Sequence, residues 1–418
     1  MECIRGRVRN LQPHLGRIQN ISLPSLRNVI SAISAATLAV LYQLWLKDVL
    51  FITLGVGRHV QRIESFPYKC RRIQNKQLEG CGDMWLDEKG RVLYAACTGS
   101  NARRNWNPSL SKLNSSRRRP QGSELMAIYI DEPRKEGGFR MHRIQPTLYG
   151  SESGASHLDL LGFDTEAVDS STLRFWLINQ RPPYDAKGKL LNAREYGANS
   201  TVEVYEYRKR DKKMKHVKTV ADRAIYSPAN IALMGADNFV ISNDRSSKVG
   251  FRKKLDPLLG GGNLVYCNDF DRICKIATTA KLRIPGGLLR GKDDRVYVPS
   301  GADGGIHVFE LQESDIFKHA HVVKMGMPIH NLGLDSKEDL WAVGSSEYDP
   351  TGKKAKNTIF RVERFLERRY RYVTTKIIED AERKFFRGAT VARHDVKTKR
   401  IFVGGLETPF ISMCEPKS

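Results

Sequence analysis

DMWLDEKGRVLYAAC (83–97) reads as two short apolar stretches held apart by a charged turn. The pattern returns as LLGFDTEAVDSSTLRFWLIN (160–179), NIALMGADNFVISND (230–244) and GLLRGKDDRVYVPSG (287–301). It closes with NLGLDSKEDLWAVGS (331–345) and ATVARHDVKTKRIFVGG (389–405). Asp, Gly and Lys enter tight turns, and alternating apolar residues give each flanking strand one buried face, so each segment is a β-hairpin signal. Hairpins roughly 45 to 80 residues apart suit four-stranded blades. Further strand candidates fall between them, among them ELMAIYID (124–131), STVEVYEY (200–207), NLVYC (263–267) and GIHVFEL (305–311). Helical periodicity is scarce; its best case, Thr358–Lys384, is too charged for a core helix. The expected fold is all-β, a six-bladed β-propeller over residues 57–418, with an unclosed pair of β-sandwich sheets as the alternative.

Propeller rings usually close by taking strands from both ends of the chain into the last blade. Cys70 and Cys414 stand at the two ends of the expected ring, where a bridge would pin that seam and stabilise the fold by roughly 3–5 kcal/mol. Cys81 and Cys97 bracket the first hairpin, and Cys267 and Cys274 flank the short NDFDRI turn. Six cysteines allow about 15 connectivities, so spacing alone does not choose among them. Unpaired buried thiols are the competing explanation.

Val29 to Leu46 is free of charge, and after Lys47 and Asp48 an apolar run continues to Gly57. Such a stretch reaches the lower limit for crossing a hydrocarbon core. Arg5, Arg7, Arg9, Arg17 and Arg27 precede it against a single Glu2, which orients the amino terminus toward the cytoplasm. The expected layout is a basic tail (1–28) carrying Cys3, a transmembrane signal anchor (29–56) and a lumenal or extracellular propeller. A cleaved signal and a buried core helix are the alternatives. Sequons at Asn114 and Asn199 permit glycosylation in the secretory pathway.

The formal charge of +23, from 69 Lys and Arg against 46 Asp and Glu, raises the question of nucleic acid. The basic residues are dispersed, with runs at Arg117–Arg119, Arg208–Arg210 and Lys212–Lys218, and no zinc-finger, RNP or basic-zipper spacing occurs. A solvated basic surface is the simpler reading, and no nucleic-acid partner is expected. No Gly-x-Ser-x-Gly elbow is present, and Gly260–Gly262 lacks the Lys-Ser/Thr of a phosphate loop.

Several motifs, in order, carry a family resemblance: Cys70 with Cys81-Gly-Asp-Met, Asn199-Ser-Thr-Val-Glu-Val-Tyr-Glu-Tyr, Ser242-Asn-Asp and Gly305-Ile-His-Val-Phe-Glu. His330-Asn-Leu-Gly-Leu-Asp, Gly388-Ala-Thr-Val-Ala and Met413-Cys-Glu complete the set. Over residues 64–416 the chain resembles the paraoxonase/arylesterase family, including its fungal members. That resemblance implies a six-bladed propeller, a Cys70–Cys414 bridge, an amino-terminal anchor and calcium in a central tunnel polarising an ester or lactone carbonyl.

Residue by residue, the implied calcium ligands are mostly replaced. The first-blade Glu-Asp is Gly82-Asp83; the Asn-Asp before the third hairpin is Ala229-Asn230; an Asn falls on Gly286; and Asp-Asn becomes His330-Asn331. Asp83, Asn230 and Asn331 are the surviving metal candidates, with a backbone carbonyl near Asp159. His157 falls on the family's active-site His, and its partner on Gln180, after Asn179. Calcium takes six to eight hard oxygens, several from carboxylates, so its binding here is expected to be weakened. Two functions follow, with a structural or interaction protein whose basic loops face a membrane or a partner as a third reading. One is an ester or lactone hydrolase with a weakened or altered metal site, His157 serving as catalyst. The other is a non-hydrolytic propeller, binding a metabolite or acting as a metal-independent cyclase or isomerase. In that case Gly82, Ala229 and Gly286 would enlarge a tunnel for an apolar ligand. The simpler alternatives are a satisfied buried His157, and Asn230 and Asn331 as strand-end caps.

Overall fold

Alternating apolar residues become paired strands throughout the chain. The computed structural model describes residues 26–135, 137–147, 157–268, 273–349, 354–365 and 370–417; Cys3 and most of the basic tail lie outside the described residues. Contacts divide the chain into two units, Met1–Lys47 and Asp48–Ser418. The first contains helix α1 (Leu26–Leu41), continued by a π-helical turn over Tyr42–Leu46. The helical stretch Arg27–Thr53 is 27 residues long, and its most apolar window has mean hydropathy 1.8. At 1.5 Å per residue it measures about 40 Å, which exceeds a hydrocarbon core.

In the second unit all six quoted hairpins form. Their first strands are β1 (Cys81–Asp87), β2 (Leu160–Ala167), β3 (Pro228–Gly235), β4 (Leu289–Arg290), β5 (Ile329–Leu334) and β6 (Val391–Asp395). Between β3 and its partner, Ala236 (φ 48°) and Asp237 (φ 61°) both adopt the left-handed conformation. Such a pair matches the right-handed twist of the strands it joins.

Each hairpin belongs to a set of four antiparallel strands. The first two sets merge into one eight-stranded sheet, because Gln145–Thr147 pairs in parallel with Lys213–Lys215. The sheet of β6 is completed by Tyr68–Ile73, which precedes β1 and pairs with Ile411–Pro416. The six first strands touch one another in order, and β6 touches β1. Bridges join Cys70 to Cys414, Cys81 to Cys97 and Cys267 to Cys274. Each pair stands directly opposite across two antiparallel strands.

Cores fill the space between neighbouring sheets. Phe175 packs on Tyr94 with ring centroids 5.4 Å apart, and Trp176 lies 5.2 Å from Phe239. Burying a large apolar side chain of this kind contributes about 1.5–3 kcal/mol. The helical periodicity of Thr358–Lys384 is overridden: Asn357–Phe365 and Arg371–Asp380 pair as antiparallel strands. Ile359, Phe360, Val362 and Ile378 are buried, and a bulge between Ile359 and Phe360 interrupts the alternation, so cross-strand pairing and not a helical period orders this segment.

Candidate functional site

Bulges at the starts of the first strands set the site. The register shifts between Cys81 and Asp83 in β1, between Leu160 and Phe163 in β2, between Pro228 and Asn230 in β3, and between Ile329 and Leu332 in β5. A bulge adds one residue to a strand and re-aims the side chains beside it. Asp83, Asn230 and Asn331 stand at three of these bulges, and their side chains meet.

Asp83 is 1% exposed. Its Oδ1 accepts hydrogen bonds from the Met84 N–H (2.8 Å), Asn331 Nδ2 (2.9 Å) and Arg393 Nη2 (3.0 Å). Oδ2 accepts from the Phe163 N–H (3.0 Å) and Asn230 Nδ2 (3.2 Å). Arg393, on β6, also donates through Nη1 to the carbonyls of Leu332 and Ala392, each at 2.9 Å. Glycine makes room for these side chains. A Cβ on Gly162 would lie 2.6 Å from Asn230 Oδ1, one on Gly287 2.0 Å from Asn331 Oδ1, and one on Gly333 2.7 Å from Arg393 Nη1.

Burial pushes the Asp83 carboxyl up, and the Arg393 charge and the surrounding N–H donors pull it back. The net shift is upward, although the five donors facing two oxygens favour the carboxylate, since a protonated acid would set its O–H against a donor. Asp164 on β2 is pushed up to about 6 by burial, despite accepting the N–H groups of Leu233 and Thr165.

Calcium fits this donor set poorly. Both Asp83 oxygens face nitrogens, and the oxygens of Asn230 and Asn331 accept the N–H groups of Ile231 (2.8 Å) and Leu332 (2.7 Å). An incoming ion would meet the Arg393 guanidinium instead of a hard oxygen. Among the described residues no group of three His, Cys, Asp or Glu side chains could hold a metal ion.

Beside Asp83 opens a cavity of about 180 Å³. Gly82, Ala229, Gly286, His330 and Asn331 line it, joined by Ser345 and Asn357. The two glycines do not enlarge it. A Cβ on Gly82 would lie 2.2 Å from Leu406 Cδ2 and one on Gly286 2.0 Å from the His330 carbonyl oxygen, so both spaces are already filled by protein. His330 Nε2 lies 2.5 Å from Ser345 Oγ. Burial pushes the His330 imidazole down to about 4, so the ring is neutral at pH 7.

Other residues singled out in the sequence lie apart from this cavity. His157 is exposed and does not line it. Asn179 and Gln180 are buried and structural: Asn179 Oδ1 accepts the Asp159 N–H (2.8 Å), and Gln180 Nε2 donates to the Pro228 carbonyl (3.0 Å). Asn114 is exposed, and Asn199 is half-buried at the start of a strand. Sequence reading passed over Arg393, Ser345 and Asn357. A signal was present for Arg393, an arginine within the apolar alternation of ATVARHDV.

A family model described as Arylesterase matches residues 188–404, more than half of the chain. Serum paraoxonase/arylesterase 2 of Rattus norvegicus is 24% identical over 217 residues, covering 50% of this chain and 59% of the relative. Serum paraoxonase/arylesterase 1 of Mus musculus is 25% identical over 194 residues, covering 46% and 53%. The chain thus spans little more than half the length of these curated relatives. Among solved structures, a gluconolactonase from Xanthomonas campestris superposes with a TM-score of 0.49 at 10% identity, over 87% of this chain and 97% of the other.

Proposed function

The chain belongs to the arylesterase family, and from that premise we propose that residues 57–418 form a six-bladed propeller hydrolysing small esters or lactones without catalytic calcium. The closed order of contacts from β1 through β6 supports six blades, and the Cys70–Cys414 bridge across the shared last sheet supports closure of the ring. Loss of the metal rests on one observation above all: every hydrogen-bonding position on Asp83 is taken by nitrogen, one of them the Arg393 guanidinium at 3.0 Å. The reading assigns His157 no chemical step. Substrate would enter the 180 Å³ cavity beside Asp83, whose size suits a small acyl group.

The apolar stretch Arg27–Thr53 would anchor the chain with its propeller in the secretory lumen or outside the cell, where three disulfides persist. Asn114, being exposed, is the better placed of the two glycosylation sites.

The test is turnover of an aryl acetate and of γ- and δ-lactones by the full chain in detergent, with and without chelator. Hydrolysis above background that the chelator leaves unchanged is the expected result. Hydrolysis abolished by chelation would contradict the metal-free reading. No hydrolysis would favour the second reading, a non-hydrolytic binder or metal-independent cyclase or isomerase. The apolar walls of Leu161, Ile284, Pro285, Ala389 and Leu406 support that alternative.

A further inference from the structure

We propose that Ser345 is a nucleophile and His330 its general base, forming a metal-free acyl-transfer dyad in the cavity beside Asp83. This rests on the hydrolase reading and names the residues that would carry it. Ser345 ends the second strand of the fifth hairpin, and His330 lies on β5 beside it. The two strands pair antiparallel, with Ile329 opposite Gly344, and the bulge between Ile329 and Leu332 follows directly, where the His330 side chain crosses diagonally to Ser345.

Asn357, itself held by two carbonyls, orients the serine. Asn357 Nδ2 donates to Ser345 Oγ at 3.1 Å, and to the carbonyls of Gly344 (3.2 Å) and Ala389 (3.3 Å). Oγ accepts from Asn357, and its own hydrogen is free to point to His330 Nε2, at 2.5 Å. That arrangement needs the tautomer with Nε2 unprotonated, the form able to accept a proton. A nucleophile and base within hydrogen-bond reach, both lining one cavity, meet the geometric requirement for covalent catalysis. Asp83, committed to its five donors, takes no part.

The chemistry balances without a cofactor. An Oγ lone pair attacks the ester carbonyl carbon as the Oγ proton passes to His330 Nε2. Collapse of the tetrahedral alkoxide breaks the bond to the leaving oxygen, which takes that proton from Nε2 and departs as an alcohol, leaving acyl-Ser345. Water then gives a proton to Nε2 and its oxygen attacks the acyl carbon. Collapse releases the carboxylic acid and returns the proton to Oγ. In a lactone the leaving alcohol stays tethered to the acyl group, giving the hydroxy acid.

The experiment is active-site labelling of the full chain in detergent with a fluorophosphonate, read by intact mass and peptide mapping, beside aryl acetate turnover. One adduct is expected, on Ser345, absent from Ser345→Ala and formed at least 100-fold more slowly in His330→Gln. Turnover should fall at least 100-fold in both variants. Ser345→Cys, which keeps a nucleophile in place, should be alkylated by iodoacetamide at that position, verifying access in a folded protein. Wild-type labelling elsewhere, or full turnover by Ser345→Ala, would overturn the dyad while leaving the hydrolase reading intact. An adduct on Ser345 without turnover of any ester or lactone would support the nucleophile and remove the hydrolase reading. No adduct in wild type would overturn the dyad.

Discussion

Arg393 and Asp83 form a buried ion pair at the heart of the site. A carboxylate 1% exposed needs a counter-charge, and here a guanidinium 3.0 Å away supplies it. Removing one partner of such a pair strands the other: Arg393→Met should cost about 3–5 kcal/mol in urea unfolding. The double variant with Asp83→Asn should fall less far than the two singles added together, by about 0.5–3 kcal/mol. Lys253 is a second residue-scale case. Its Nζ is buried and donates to the carbonyls of Pro108 (2.6 Å) and Lys248 (3.0 Å), and burial pushes it down to about 8. The folded protein releases this proton at lower pH than the unfolded chain does. The penalty of the buried charge is therefore full below pH 8 and fades toward the ordinary lysine range near 10.5. The stability difference between wild type and Lys253→Met should accordingly shift toward wild type as pH rises from 8 to 10, read as paired melting temperatures. Lys253 was not legible beforehand, and Arg393 was marked only as an arginine within an apolar alternation, without its partner. Arg393 meets Asp83 across 310 positions, and Lys253 reads as one of many dispersed cations.

At the scale of strands the sequence was far more informative. The six hairpins were readable because a turn and two alternating runs are local signals, complete within about 15–20 residues. Thr358–Lys384, set aside as too charged for a core helix, did not read as strands because a bulge breaks its alternation, and its partnership is only evident once Asn357 is seen opposite Asp380. The bulges at Asp83, Asn230 and Asn331 left no local mark, yet they aim the site. The glycines resolve differently from a cavity-enlarging role. The Cβ position of Gly286 lies 2.0 Å from a backbone oxygen, that of Gly82 2.2 Å from the movable end of Leu406. Gly286→Ala should therefore destabilise more than Gly82→Ala, in a range of about 1–3 kcal/mol or above, since a strand shifts less readily than a rotamer. Chemical denaturation of the two variants side by side decides it; equal losses would contradict the contrast.

For the whole molecule, the last sheet takes its outer strand from residues 68–73 and its other three from residues 391–416. The bridge between those segments closes a loop of 344 residues, whereas Cys267–Cys274 spans 7. Replacing Cys70 and Cys414 by Ser should cost about 3–5 kcal/mol, and replacing Cys267 and Cys274 clearly less, because closure entropy grows with loop length. The resemblance implied the Cys70–Cys414 bridge, while the charge balance around Asp83 depended on which side chains converge there. Calcium is therefore the sharpest probe of the account. The measurement is the calcium content of the full chain by elemental analysis, together with its unfolding temperature with and without chelator. Arg393 in place at Asp83 predicts well under one ion per chain and an unfolding temperature that chelation leaves unchanged. One or two tightly held ions, with a large fall in unfolding temperature on chelation, would contradict it.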